Sequence, residues 1–280
     1  PCTGCALGKS LRRPIPKLTH DRAGERLARV FVDLSGKKTK SLGGAHYLMI
    51  VRDYSRYSWA YPLKKKSDAC EGFKAFLSEF HLAQITCAVM TVRSDDGGEF
   101  LGGSFGALCR DFRVRQGHTC ADTPQLNGVA ERGLGLIDSA QLAGRLQASE
   151  LFGHVVVNIP SHKDLWAEAS AWACAALHAT ATTANPGSIS PYEAFYGKPA
   201  PLQVLPFLKP AFHRTAGRRL KSDPKAVECF YLGPGRNHSS TAMRVLLLDP
   251  RRVVTSQNVI FRHIPARTVS AKVDHPVERR

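Results

Sequence analysis

The feature that most constrains the fold is the run ITCAVMTV at 85–92, which is apolar except for two threonines. A strand with so little polar character has to be covered on both faces, which is typical of a sheet with helices on either side. The polar stretch RSDDGGEF at 93–100 follows directly and brings Asp95, Asp96 and Glu99 close together. Three carboxylates so close in a basic chain need either good solvation or a bound cation. The sequence therefore predicts an α/β sheet with an acidic loop at the end of a buried strand.

The other elements follow from the spacing of apolar residues and from turn residues. Strands are predicted at 27–36, at 45–63 (two strands) and at 113–120, and helices at 67–83, 104–112 and 127–147. Three strands in succession, followed by alternating helices and strands, predict a mixed five-stranded α/β sheet with flanking helices. Short β-type runs between 226 and 262 predict a small C-terminal all-β, barrel-like module.

A chain of 280 residues is long enough for about two domains. The predicted organisation is a tail and linker at 1–26, a catalytic core at 27–185, a proline-rich connector at 186–225, the small β module at 226–265 and a tail at 266–280. The long Ala- and Thr-rich stretch that begins at Leu165 contains Glu168 and His178, so it is predicted to be a packed helix and not a membrane span.

The charge balance favours a polyanionic partner. Lysine and arginine total 39 against 23 acidic residues, a formal net charge of +16, and nucleic acid is the simplest polyanion. Basic runs such as Lys64–Lys66 are candidate phosphate contacts, although any single run is more often a solvated face. Most of the eight cysteines are dispersed among apolar neighbours, which indicates reduced thiols and a reducing compartment.

Three separated acids lie where an α/β sheet places its functional site. Asp33 ends the first predicted strand, Asp95 follows the buried strand, and Glu131 lies in the first turn of the long helix. Each alone would be read as a turn residue or as an acid favoured by the helix dipole. Brought together, they would repel unless divalent cations with a preference for oxygen ligands, Mg²⁺ or Mn²⁺, bridge them.

Several ordered motifs resemble those of one known family. The segments VDLSG, YLMIVRDYSRYSWAYPLKKKS, VRSDDGGEF and TPQLNGVAER, with 35 residues between Asp95 and Glu131, are similar to the integrase core of copia-type LTR retrotransposons. Downstream segments such as SPYEAFYGKPAP resemble the same family, so the likeness covers about residues 2–263. The resemblance implies a fragment of a Gag-Pol-type polyprotein with a ribonuclease H-like core. It also implies an integrase that carries out metal-dependent DNA 3′-end processing and strand transfer.

The resemblance also implies roles for the acids. Asp33, Asp95 and Glu131 match the family's catalytic, metal-binding carboxylates, which implies two Mg²⁺ or Mn²⁺ ions. Asp96 stands where the family usually has asparagine, and Glu99 matches a position outside the triad.

Residues near the triad are predicted to contact DNA, both the element's ends and the target. They are Lys64, Lys65, Lys66, Gln125, Asn127 and Arg132. For Asn127 the alternative is that it only caps the long helix. The resemblance further implies a homo-oligomer without a membrane partner. It implies a nuclear location with a cytoplasmic stage in virus-like particles.

Cys2 and Cys5 form a C-x₂-C pair, which is half of a tetrahedral zinc site. They resemble the second half of the family's His-His-Cys-Cys module. We expect the half site to be empty here and Zn²⁺ to bind only in a longer parent protein.

The chain departs from the family pattern after Glu131. Gly133 and Gly135 replace larger residues inside the helix, at a cost of about 1 kcal/mol each relative to alanine. Gly135 lies one turn beyond Glu131, where a basic side chain would otherwise reach DNA. An alternative is therefore a decayed, non-enzymatic nucleic-acid-binding remnant. A fourth acid, Asp53, is predicted to pair with Arg52 or Arg56.

Overall fold

The computed structural model describes residues 23–82, 89–95, 97–118, 127–156, 162–201, 204–215, 222–236, 239 and 241–262. Cys2, Cys5, Asp96 and Gln125 lie outside the described residues, so the half zinc site and the DNA contact proposed for Gln125 remain predictions.

The first sheet has five strands in the order β3-β2-β1-β4-β5. The strands are β1 (Arg29–Leu34), β2 (Tyr47–Asp53), β3 (Ser58–Leu63), β4 (Thr91–Ser94) and β5 (Arg115–His118). β1, β2 and β3 pair antiparallel, whereas β4 is parallel to both β1 and β5. The predicted mixed five-stranded sheet is confirmed.

Helices cover both faces of this sheet, as the order of the predicted strands and helices indicated. They are α1 (Ala69–Leu82), α2 (Gly98–Leu101), α3 (Gly103–Asp111), α4 (Gly128–Val156) and α5 (Trp166–Ala179). Because successive strand residues point to opposite faces, Val30 and Val32 of β1 pack with α1 to α3, while Phe31 packs with α4 and α5. Each face therefore has its own apolar core, and the long helix α4 is fixed against the sheet.

The prediction that the apolar run at 85–92 forms a strand buried on both faces is wrong. β4 takes only Thr91 and Val92 from this run, and its residues alternate between half-buried and buried. Met90 is 56% exposed, and residues 85–88 lie outside the described part of the chain. Hydrogen-bonded partners on both sides, β1 and β5, determine where the strand lies. The acidic loop consequently starts at the carboxyl end of a central strand.

A second sheet forms the C-terminal module. It is antiparallel throughout, in the order β10-β6-β7-β8-β9. Its strands are β6 (Pro210–Arg214), β7 (Ala226–Pro234), β8 (Met243–Leu248), β9 (Arg251–Ser256) and β10 (Val259–Phe261). β6 and a short helix, α6 (Pro191–Tyr196), lie in the range predicted as a connector. β6 is a short run that begins with a proline, and it is recognisable as a strand only through its pairing with β7 and β10.

The second sheet packs on the C-terminal end of α4 and on the N-terminal part of α5. Phe152 of α4 and Ala169 of α5 share a core with Phe230 and Leu246. In the described part of the chain, no helix combines the length and apolar character needed to cross a bilayer. The stretch that begins at Leu165 forms α5, whose buried residues face the two sheets, as predicted for a packed helix.

Candidate active site

The register of β1 and β4 brings Asp33 and Asp95 to the same level of the sheet. Phe31 is paired with Arg93 in this parallel ladder, so the positions two residues further along each strand are Asp33 and Asp95. Neighbouring strands lie about 4.8 Å apart. The sequence order alone, with 61 intervening residues, does not reveal this proximity.

Asn127 brings the start of α4 to the same place. Its side-chain amide donates to the backbone carbonyl of Val32, the residue before Asp33, at 3.3 Å. The Asn127 side chain is only 1% exposed. This contact fixes the first turn of α4, which carries Glu131, beside the end of β1. Asn127 therefore has a positioning role in the fold, while its predicted contact with DNA stays a prediction.

The electrostatics of Asp33 show that the acids converge. The pKa of Asp33 is raised to about 6, mainly by burial and also by the negative charges of Asp95, Glu131 and Glu99, while the Leu34 amide, donating at 2.8 Å, opposes the shift. The Asp33 side chain is largely buried, whereas Asp95 and Glu131 are exposed. The three acids predicted from sequence therefore act on one another in a single pocket.

Glu99 is a fourth acid at this site, which the triad pattern leaves out. A Cβ atom built on Gly97 would lie 3.1 Å from Asp95 Oδ1 and 3.2 Å from Glu99 Oε1, so the two carboxylates flank this glycine. The Gly97 amide donates to Asp95 Oδ1 at 3.3 Å. The position of Glu99 four residues after Asp95, across two glycines, was the only sequence signal for it.

The donor set fits a hard divalent cation. All four side chains offer carboxylate oxygens, the ligands that Mg²⁺ and Mn²⁺ prefer. Within the described ranges, no three of these side chains lie close enough to hold one metal ion together. The acids share a pocket, but their arrangement in the structure is wider than a coordination shell.

Four of the candidate DNA contacts lie at the surface. Lys64, Lys65, Lys66 and Arg132 are exposed. The Lys66 ammonium lies 3.7 Å from Glu99 Oε1, which links the basic run after β3 directly to the acidic pocket. Lys66 is thus the member of the run that an ion pair joins to the candidate site.

The predicted pairing of Asp53 with Arg52 is wrong. The Asp53 carboxylate accepts from the Leu27 amide at 2.9 Å and from both the amide and the hydroxyl of Ser55. Arg52 points to the other face of the sheet, where its Nη1 donates to the Val129 carbonyl of α4 at 3.4 Å. Adjacent residues of a strand alternate between faces, so neighbours in sequence do not meet here.

The two glycines after Glu131 have different surroundings. A Cβ at Gly133 would lie 2.3 Å from Arg52 Nη1, so the glycine makes room for that guanidinium. A Cβ at Gly135 would meet no described atom within 4 Å. The packing of Arg52 therefore explains the glycine at position 133, whereas nothing in the described structure explains the glycine at position 135.

Comparison with known proteins gives relatives along the whole chain. It is 28% identical over 278 residues to a retrovirus-related Pol polyprotein from transposon TNT 1-94 of Nicotiana tabacum, covering 96% of this chain and 19% of that protein. It is 26% identical over 294 residues to the corresponding polyprotein from transposon RE2 of Arabidopsis thaliana, covering 100% of this chain and 18% of the relative. The chain thus spans about a fifth of the length of the curated relatives it matches. No protein-family model matches it.

A solved structure shares the fold. A chain of the simian T-cell lymphotropic virus intasome, determined in complex with PP2A regulatory subunit B56 gamma, superposes with a TM-score of 0.50 at 12% identity. The match covers 94% of this chain and 88% of the other. The predicted resemblance is confirmed: the chain is similar along its length to the retrovirus-related Pol polyproteins of plant transposons, and it shares its fold with a chain of a retroviral intasome.

Proposed function

We propose that this chain is the catalytic part of a retrotransposon integrase, which processes DNA 3′ ends and joins them to target DNA. The observation that carries the proposal is the convergence of Asp33, Asp95 and Glu131, expressed in the raised pKa of Asp33. Burying a carboxylate beside other carboxylates costs stability, so such a cluster is more often functional than structural.

Each acid would have a defined part in this chemistry. Asp33 and Asp95, on neighbouring strands, would share or bridge the metal ions, and Glu131 would complete the second site. When bound, two Mg²⁺ or Mn²⁺ ions would supply the positive charge that stabilises an in-line phosphoryl transfer. Asp33 has to give up its proton to serve as a ligand, so metal binding by this residue weakens below about pH 6.

Two steps would use the same pocket. In the first, water attacks a phosphodiester near the DNA end and frees a 3′-hydroxyl. In the second, that hydroxyl attacks a target phosphodiester and displaces another 3′-oxygen. Positioning and charge neutralisation supply the catalysis, so no covalent link to the protein is required.

The basic surface would hold the DNA. A net charge of +16 attracts the polyanion, and Lys64, Lys65, Lys66 and Arg132 are exposed. Lys66 is a favourable candidate for a phosphate near the reacting bond, because its ion pair with Glu99 keeps its ammonium at the pocket.

The test is Asp95→Asn, which keeps the shape of the side chain and removes its charge. We expect Mg²⁺- or Mn²⁺-dependent 3′-end processing and strand transfer to fall at least about a hundredfold, since even the outer partners of metal ligands are worth about 10- to 100-fold. DNA binding, measured by fluorescence anisotropy, should change little. The matched control is Glu150→Gln, at an exposed position further along α4, which should keep full activity. Equal joining by Asp95→Asn and its parent would refute the assignment.

The alternative is a DNA-binding remnant that has lost turnover. Two observations favour it: no three described acids are close enough to hold one metal ion, and Gly135 presents no side chain toward DNA. Metal-dependent joining by the unaltered chain would exclude the remnant, whereas salt-sensitive DNA binding without joining would favour it.

We further propose that the protein acts as a homo-oligomer on DNA. We propose a nuclear site of action, a cytoplasmic stage in virus-like particles, and Zn²⁺ binding through Cys2 and Cys5 only within a longer parent. Light scattering on the joining-competent complex tests the first point, and a monomer at full activity would contradict it. Imaging of the tagged parent protein tests the location, and exclusion from the nucleus would contradict it. Zinc content measured with and without the upstream sequence tests the last point.

A further inference from the structure

We infer that a cavity beneath the first turns of α4 binds a phosphate group, with Arg52 as its anchor. The cavity has a volume of about 200 Å³ and lies between the β2–β3 turn, α4 and the segment after α5. Among its lining residues are Arg52, Arg56, Gly133, Leu136 and Thr182. It does not include the acids of the candidate active site, so the inference stands apart from the proposed function.

Within the described residues, Arg52 is a buried cation without a counter-charge. It is only 7% exposed, and its side chain makes one hydrogen bond in that part of the chain, the long contact with the Val129 carbonyl. Its buried Nε has no hydrogen-bond partner among the described residues, and no carboxylate in that part of the chain forms an ion pair with it. An isolated buried charge is costly, and proteins normally pair it.

The surroundings of Arg52 are positive rather than neutral. Burial is the main reason that the pKa of Arg52 falls to about 10, and the charges of Arg56 and Arg132 act in the same direction, while Cys174 opposes the shift. An anion in the cavity would compensate the buried charge of Arg52. Within the described residues no carboxylate pairs with Arg52, so an external anion is the natural counter-ion.

The fold makes specific room for this guanidinium. Strand alternation turns Arg52 toward α4, and Gly133 leaves the space that its Nη1 occupies, since a Cβ there would lie only 2.3 Å away. At Gly135, two residues further along α4, an added Cβ would meet no described atom within 4 Å. Because the helix needs a glycine at this position to accommodate the guanidinium, the cavity is a specific feature of the fold and not a packing defect.

The size and chemistry of the cavity indicate a small oxyanion. Ligand sites for larger organic molecules usually measure about 300–1,000 Å³, so this cavity is suited to a single group. A planar guanidinium offers several N–H donors that match two oxygens of a phosphate. The Thr182 hydroxyl accepts from the Ala184 amide at 3.3 Å and retains its own hydrogen for donation.

The test is phosphate binding by the whole chain. Thermal unfolding and calorimetry are followed while inorganic phosphate replaces chloride at constant ionic strength. We expect a saturable rise in Tm, because a ligand that binds only the folded state stabilises it. Arg52→Met should lose at least tenfold in affinity and Arg52→Lys should be intermediate. Arg252→Met, at an exposed position on β9, should respond as the parent does.

The arms of the experiment separate the sources of phosphate. Competition by an oligonucleotide with a 5′-phosphate, and not by one without it, would identify a nucleic-acid end as the source, and no competition by either would identify free phosphate. Should Arg52→Met fail to fold, Gly133→Ala, which displaces the guanidinium without removing its charge, should show the same loss of response. The inference is overturned if phosphate acts no better than chloride or acetate, or if Arg52→Met binds as tightly as the parent.

Discussion

Two regions of like charge lie on opposite sides of the first turns of α4, and they differ in sign and in access to water. In one region Asp33 feels the charges of Asp95, Glu99 and Glu131, and in the other Arg52 feels the charges of Arg56 and Arg132. In both regions the charged form of the most buried member is disfavoured: the pKa of Asp33 rises to about 6 and that of Arg52 falls to about 10.

Access to solvent separates the two regions. Asp95 and Glu131 are exposed, so water can screen their repulsion until a cation replaces it. Arg52 has almost no exposed surface and obtains little such screening. An exposed cluster of like charges therefore costs little stability when its ligand is absent, whereas a buried cluster destabilises the fold whenever its counter-ion is missing.

Replacing Asp33 by asparagine should remove a buried negative charge from the acidic cluster, and of the substitutions in these two regions it should change stability most. Because the pKa of Asp33 is raised in the folded state, its ionisation destabilises the fold, and stability is lost as pH rises from about 4 through about 6. A pKa raised from 3.8 to about 6 corresponds to about 3 kcal/mol at neutral pH, at about 1.4 kcal/mol per pKa unit. In metal-free buffer, Asp33→Asn should therefore be more stable than its parent at pH 7 and equal to it below about pH 4.

Urea unfolding across that pH range measures the difference between Asp33→Asn and its parent. Asp111→Asn, at an exposed residue at the end of α3, is the matched control and should show no such trend. A difference that does not vary with pH would mean that the acids on this side of α4 do not interact as described.

Replacing Gly133 by alanine should disrupt the basic side. The new methyl group would overlap Arg52, with 2.3 Å to Nη1 and 2.8 Å to Cδ, and the buried side chain has little freedom to move. We expect a loss of about 1–3 kcal/mol, the usual cost of overpacking, despite the higher helix propensity of alanine. Chemical denaturation measures it, and an unchanged or higher stability would show that Arg52 is not held as the structure places it.

Replacing Gly135 by alanine sharpens the comparison, because it makes the same chemical change two residues further along the helix. No described atom would contact the added Cβ, so helix propensity alone should raise stability by about 1 kcal/mol. The same denaturation measurement applies, and DNA binding should stay as in the parent. A loss of stability here would indicate that glycines in this helix are required for a reason other than space for Arg52.

Much of the fold could be predicted from the sequence, because the spacing of apolar residues and the positions of turn residues depend on local secondary structure. The order of the predicted strands and helices indicated a mixed sheet with flanking helices, and the structure has such a sheet with separate cores on its two faces. β6 escaped prediction because a short proline-initiated run is stabilised by its partners β7 and β10 and carries little signal of its own. Pairing between strands distant in sequence cannot be read from either strand alone.

The amino-acid sequence alone was enough to predict a sheet with helices on both faces, the excess of positive charge and the identity of three acids that could share a site. Only the tertiary structure decided that Asn127 ties the start of α4 to β1, that Glu99 joins the acidic pocket, and that Arg52 turns away from Asp53 into a cavity opened by Gly133. The physical reason is that periodicity specifies which face a residue occupies, whereas the contacts on that face depend on which distant element packs there. Charge compensation is such a contact, and it therefore becomes visible only when the chain has folded.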